Sequence, residues 1–145
     1  MKNQISKELK RYNYLSSEIG AAYHEMNLKL GMSDSASSII YAILENGDHR
    51  LLQSICRCTG LNKQTINSAI RKLEAEGIVY LEMAGSKHKM VYLTEVGKTL
   101  AEKTAGQIME AENEIFASWP PEDVKKYLEL TEIFMLALKE KAKSM

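Results

Sequence analysis

The stretch Asn62 to Gly77, NKQTINSAIRKLEAEG, constrains the fold more than any other part of the chain. Its spacing predicts one helix with a defined start, a defined stop and two unlike faces. Asn62 suits an N-cap, where its side-chain oxygen accepts from an otherwise unpaired backbone NH of the first turn. Gly77 suits the left-handed residue that closes a helix, because it has no Cβ to clash. Ile66, Ala69, Ile70 and Leu73 fall at i, i+3, i+4 and i+7, the spacing of a buried stripe. At 100° per residue Gln64, Ser68, Arg71 and Ala75 point the opposite way, with Asn67 and Lys72 on their flanks.

That outward face carries amide, hydroxyl and guanidinium groups, the groups that read base edges in a major groove. Lys63, Arg71 and Lys72 lie in the first two-thirds of the helix, and Glu74 and Glu76 at its end, where phosphates repel them. The N-terminal half, with Lys63, Gln64, Thr65, Asn67 and Ser68, is therefore the part that enters a groove. An ordinary solvated surface helix has the same composition, so the surroundings must decide.

The formal net charge is zero, but its distribution is uneven. Residues 49–90 hold seven basic and three acidic side chains, and the remainder holds twelve against sixteen. A basic middle between acidic flanks is the footprint of a focused anionic partner. A chain of 145 residues, 45% hydrophobic and 26% charged, can bury a core as one globular domain. No apolar run reaches the length of a membrane span and the N-terminus lacks a signal-peptide core, so the expectation is a cytoplasmic protein without membrane contact.

In chain order, Asn3 to Leu30 reads as a long amphipathic helix with Ile5, Leu9, Tyr12, Ile19, Tyr23, Met26 and Leu30 on one line, ending at Gly31. Its length of about 42 Å, at 1.5 Å per residue, exceeds one side of a compact domain. Its first turns are expected on a second copy of the chain. A second helix runs from Ser35 to Asn46, and Asp48-His49-Arg50 reads as a turn. A third helix covers Leu52 to Cys58, and Thr59-Gly60-Leu61 turns into the helix of Asn62 to Gly77. Two short helices joined by a Gly-containing turn form a helix-turn-helix unit.

Ile78 to Met83 and Met90 to Leu93 are rich in β-branched and aromatic residues, and the glycine between them signals a hairpin. Its tip, Ala84 to Lys89, carries Ser86, Lys87, His88 and Lys89, and the segment 84–90 reads as a wing reaching the DNA backbone or minor groove. Thr94-Glu95 caps another helix toward Trp119, in which Gly97 or Gly106 marks a bend. Pro120-Pro121 opens the last helix, whose Val124, Leu128, Thr131, Phe134, Met135, Leu138 and Ala142 line up. The fold class expected is mainly α with a small β-hairpin wing, in a single domain over 1–145. A winged helix-turn-helix lobe occupies 34–94, and residues 1–31 and 95–145 form a helical dimerisation region.

This order resembles the MarR family of winged-helix transcriptional regulators over nearly the whole chain. The residues carrying the resemblance are Gly31-Met32-Ser33, the run from Leu61 to Ile78 with its closing Leu73-Glu74-Ala75-Glu76-Gly77, and Leu93-Thr94-Glu95-Val96-Gly97. The resemblance implies a homodimer that binds a pseudo-palindromic operator on double-stranded DNA and represses transcription, released by a small-molecule effector or by cysteine oxidation. In the family the wing usually carries an Asp and, two residues on, an Arg for the minor groove. Gly85 and Lys87 hold those places, so the charge is kept while the planar fork is lost. His88 and Lys89 then share the task.

Cys56 and Cys58, two residues apart, point to different sides of a short helix, against a mutual disulfide. With Arg57 between them, one of the two is a candidate oxidant sensor, whereas the plainer role is a small core residue. His24, His49 and His88 show no metal-ligand spacing, and no cofactor is expected. Tyr12, Tyr14 and Tyr23 suit either a ligand crevice or the core. No nucleophile motif, phosphate loop or paired-carboxylate site can be placed, which argues against an enzyme. The alternative to a DNA-binding regulator is a winged-helix module that binds a protein partner.

Overall fold

Capping side chains open most of the helices in the computed structural model, which describes residues 3–145. Ser6 Oγ accepts from the Leu9 NH at 3.0 Å, and Ser33 Oγ from the Ala36 NH at 3.2 Å. Asn62 Oδ1 accepts from the Thr65 NH at 2.8 Å, and Thr94 Oγ1 from the Gly97 NH at 2.9 Å. Each such bond satisfies a donor that the helix leaves unpaired, worth about 1 kcal/mol. The helices opened this way are α1 (Lys7–Lys29), α2 (Asp34–Glu45), α4 (Lys63–Ala75) and α5 (Glu95–Lys103). The others are α3 (Leu52–Thr59), α6 (Ala105–Ala117) and α7 (Pro121–Lys143), the last with proline in its first turn. Strands β1 (His49–Leu51), β2 (Val79–Ala84) and β3 (His88–Leu93) form an antiparallel sheet in the order β1-β3-β2.

Glycines close the helices where the chain must leave the right-handed region. Gly77, at φ +74°, lets the Ile78 NH reach back to the Leu73 carbonyl at 2.9 Å and its own NH to Glu74 at 3.0 Å. This double return stops α4 and drops Ile78 into the core.

The chain divides into two compact units, Met1–Ile108 and Met109–Met145. In the first, Ile39, Ile40 and Ile43 of α2, Ile55 of α3 and Ile66 of α4 are fully buried. Ile70 and Leu73, with Val79, Val91 and Leu93 from the inner sheet face, complete this core. The predicted stripe of α4 is thus buried, with Ala69 packed at its margin. In the second unit Phe116, Trp119 and Tyr127 meet where α6 turns into α7, with ring centroids 5.3, 5.6 and 6.2 Å apart.

Three sequence expectations are corrected. Asp48-His49-Arg50 is not a turn alone: His49 to Leu51 pair with Tyr92 to Met90 as β1. The helix expected from Glu95 toward Trp119 is two helices, broken at Thr104 (φ −121°, ψ −92°), beside Gly106 rather than at Gly97. The hairpin tip is shorter than expected, because pairing continues to Ala84 and His88 and leaves Gly85-Ser86-Lys87 as the turn.

Helix α1 is tied to α2 at its C-terminal end. Asp34 accepts from Asn27 Nδ2 at 2.9 Å and meets His24 Nδ1 at 2.8 Å. The Asn27 amide, then His24, hold the Asp34 carboxyl below its ordinary value of 3.8. A depressed folded value means that the tie is fully present above 3.8 and is lost as pH falls through the lower folded value. In Asp34→Asn, amides near Asn27 are expected to exchange faster than in the wild type at neutral pH. That difference should vanish in strong acid, as amide hydrogen exchange would show.

Candidate nucleic-acid interface

Helix α4 is held by its buried stripe, so the opposite face is presented at a set angle. Lys63, Gln64, Ser68, Arg71 and Lys72 are exposed, and Thr65 and Asn67 are half-buried at the edges. The structure therefore brings all seven expected α4 residues to the outer surface or its rim. Among the described residues none of Lys63, Arg71 and Lys72 is paired with a carboxylate. Their charge remains available to phosphates.

Other cations of the basic middle and its surroundings are engaged. Arg50 Nη1 donates to the Ala42 carbonyl at 2.8 Å and lies 3.4 Å from Glu45. Lys98 lies 3.0 Å from Glu95 and 3.4 Å from Asp48. Arg50 thus fastens β1 to α2, a role that charge counting along the sequence could not separate from DNA contact.

Ser86, Lys87, His88 and Lys89 are all exposed at the hairpin end. Gly85 takes φ +79° to make the turn. His88 and Lys89 lie within β3, so successive side chains leave opposite sheet faces. Strand β1 pairs only as far as Met90, and the hairpin beyond it stands as a two-stranded ribbon.

A cleft of about 900 Å³ runs beside α4 within the first unit. Gln64, Ser68 and Lys72 form one wall, and Met32, Val96 and Leu100 supply apolar surface across from it. Gln64, Ser68 and Lys72 thus belong both to this cleft and to the outer face of α4, whereas Lys63 and Arg71 do not border it. Both thiols are free: Cys56 is half-buried against the core and Cys58 exposed. Tyr12, Tyr14 and Tyr23 of α1 are exposed. Among the described residues no three His, Cys, Asp or Glu side chains gather into a metal site, and no helix is long and apolar enough to cross a membrane.

Residues 30–89, which span the helix-turn-helix and most of the hairpin, match the MarR family model. This lobe is similar to the MarR family. The MarR-type fold extends well beyond the matched residues. A MarR family regulator from Neisseria meningitidis is similar in structure over 97% of this chain and 100% of its own, with a TM-score of 0.81 at 16% identity. Staphylococcus aureus MepR, solved in a DNA-binding conformation, is similar over 88% of this chain and 98% of its own (TM-score 0.73, 17% identity). NadR in complex with 4-hydroxyphenylacetate is similar over 92% and 96% (TM-score 0.72, 15% identity). No curated protein sequence matches the chain.

The MarR-type architecture gives local reasons for the two motifs. In Leu93-Thr94-Glu95-Val96-Gly97, Leu93 is buried and Thr94 Oγ1 donates to the Gly77 carbonyl at 2.6 Å. Gly97 packs directly on the Ile78 carbonyl. In Leu73-Glu74-Ala75-Glu76-Gly77, Leu73 is core and Gly77 is the closing residue. Sequence reading missed β1 and its ring contacts, for which a three-residue strand gives almost no periodic signal.

Proposed function

We propose that the protein is a sequence-specific DNA-binding transcriptional regulator that acts as a homodimeric repressor on a pseudo-palindromic operator. Helix 62–76 reads the major groove and wing 84–90 contacts the backbone or minor groove. The observation that carries this reading is the outer face of α4, with exposed Lys63, Gln64, Ser68, Arg71 and Lys72 on a rigidly buried stripe. Amide and guanidinium groups there suit adenine and guanine edges, and unpaired lysines supply salt-dependent attraction to phosphates. MepR, whose DNA complex has been solved, shares the fold and supports the same direction of reading.

Uncovered apolar faces support the homodimer. Ile5, Leu9, Tyr12, Ile19 and Tyr23 of the N-terminal segment are exposed, as are Leu128, Leu130, Ile133 and Leu138 of α7. Such faces on terminal helices suit burial against a second copy. Two copies place two α4 helices about 34 Å apart, the repeat of successive major-groove faces. A small-molecule effector fits the same reading. The cleft shares Gln64, Ser68 and Lys72 with the reading face, so an occupant would compete with DNA for them.

The test is a mobility-shift assay on the DNA upstream of the protein's own gene, across salt concentrations and with an oxidant that addresses Cys56 and Cys58. Retardation that weakens with salt is expected. Loss of duplex binding at all salt concentrations would select a winged helix that binds a protein partner. Arg71→Ala is expected to lose about 1–3 kcal/mol of specific binding and to relax preference at one base pair. An unchanged base preference in that variant would remove Arg71 from the reading set.

A further inference from the structure

The outer face of the small sheet carries a row of three rings that the reading face does not use. Tyr80, Tyr92 and His49 are direct cross-strand neighbours on β2, β3 and β1. The Tyr80 and Tyr92 rings stack with centroids 5.0 Å apart at 10°, and Tyr92 and His49 at 5.3 Å and 25°. Both faces of the Tyr92 ring are therefore taken. The middle ring thus offers no open face on which a base could stack. His49 Nδ1 meets Asp48 Oδ1 at 2.8 Å, and Asp48 Oδ2 lies 3.4 Å from Lys98 Nζ at the start of α5. One end of the row is thus anchored to the lobe.

The opposite face of the same strands, with Val79, Val91 and Leu93, is buried in the core. Core and ring row together grip the hairpin at its base from both sides. Beyond Met90 the hairpin has no third strand, and a two-stranded ribbon alone is marginally stable and twists freely. Lys87 sits at the far end of that ribbon. The angle at which it meets a duplex is set where the sheet is three strands wide.

We propose that the row Tyr80–Tyr92–His49 is a positioning device for the wing, holding the hairpin at a fixed angle on the lobe so that Lys87 is presented ready to contact DNA. This rests on the DNA-binding reading for its consequence, but the positioning itself is a property of the free protein. Tyr80 and His49 act on binding through Lys87.

A double-mutant cycle tests the inference, with Tyr80→Thr, Lys87→Ala and both together. The variants are titrated against the duplex upstream of the protein's own gene and against a mixed-sequence duplex. Each single change is expected to weaken binding about fivefold, and the pair little more than either alone. Tyr80→Phe, which keeps the ring, should bind as the wild type. Amide exchange in the DNA-free protein should rise in Tyr80→Thr at Met83 and Lys89 and stay unchanged at Ile43 and Ile66. His49→Ala supplies the same test from the anchored end of the row should Tyr80→Thr lower Tm strongly. Effects that multiply to roughly 25-fold, or hairpin exchange equal to wild type, would overturn the positioning role. Faster hairpin exchange in a protein that binds neither duplex would leave the device standing and remove the DNA-binding reading.

Discussion

Gly97→Ala is expected to lower stability by about 3 kcal/mol and Tm by roughly 10 °C. A methyl group at this position would fall on the backbone carbonyl oxygen of Ile78. That oxygen cannot swing aside, because it accepts from the Thr94 NH at 3.0 Å. Thr94 also caps α5 and holds the Gly77 carbonyl, so any shift pulls on the end of α4 as well. Alanine ordinarily favours a helix over glycine by about 1 kcal/mol, and the clash must overcome that gain. Thermal unfolding followed by circular dichroism measures the net result, and an unchanged or raised Tm would contradict the close packing. Gly20, in α1 with open space where its Cβ would be, is the control. Gly20→Ala should be neutral or stabilising.

Ile19→Asp or Ile133→Asp is expected to leave the protein monomeric at micromolar concentration and to weaken operator binding at least a hundredfold. The two residues are 52% and 63% exposed in the single chain, on α1 and α7 respectively. A carboxylate buried against an apolar partner face would remain unpaired, a cost that a non-covalent interface rarely absorbs. A monomer keeps one recognition helix and loses the second half-site, and a hundredfold loss corresponds to about 2.7 kcal/mol. Sedimentation velocity and anisotropy titration on the same samples separate the two outcomes. Dimers with unimpaired DNA binding would show that these faces have another purpose. Trp119, the one tryptophan, reports on the folding of the second unit in the same samples through its fluorescence.

The helices and the hairpin were legible in the sequence because their signals are local. Asn62, Ser33 and Thr94 cap within three residues of the donors they satisfy, and Gly31, Gly60 and Gly77 turn the chain where they stand. The stripe of α4 needs only its own periodicity, so its outer face followed too. Strand β1 was illegible because three residues have no period. It becomes a strand through pairing with β3 and through the Leu93 NH bonding to the Asp48 carbonyl. The break at Thr104 was only loosely legible, because glycine propensity leaves Gly97 and Gly106 as equal candidates for a bend. Gly97 instead allows a close approach.

By itself the sequence determined where α2, α3 and α4 start and stop to within a residue, which face of α4 is apolar, and that a basic tip follows it. Those properties depend on neighbours within one or two helical turns. Only the tertiary structure decided that Arg50 is held by α2 while Arg71 meets no carboxylate among the described residues, that Gly97 lies on Ile78, and that Tyr80, Tyr92 and His49 stack in a row. These are contacts between segments far apart in the chain, set by how the elements pack, and no local pattern of residues encodes them.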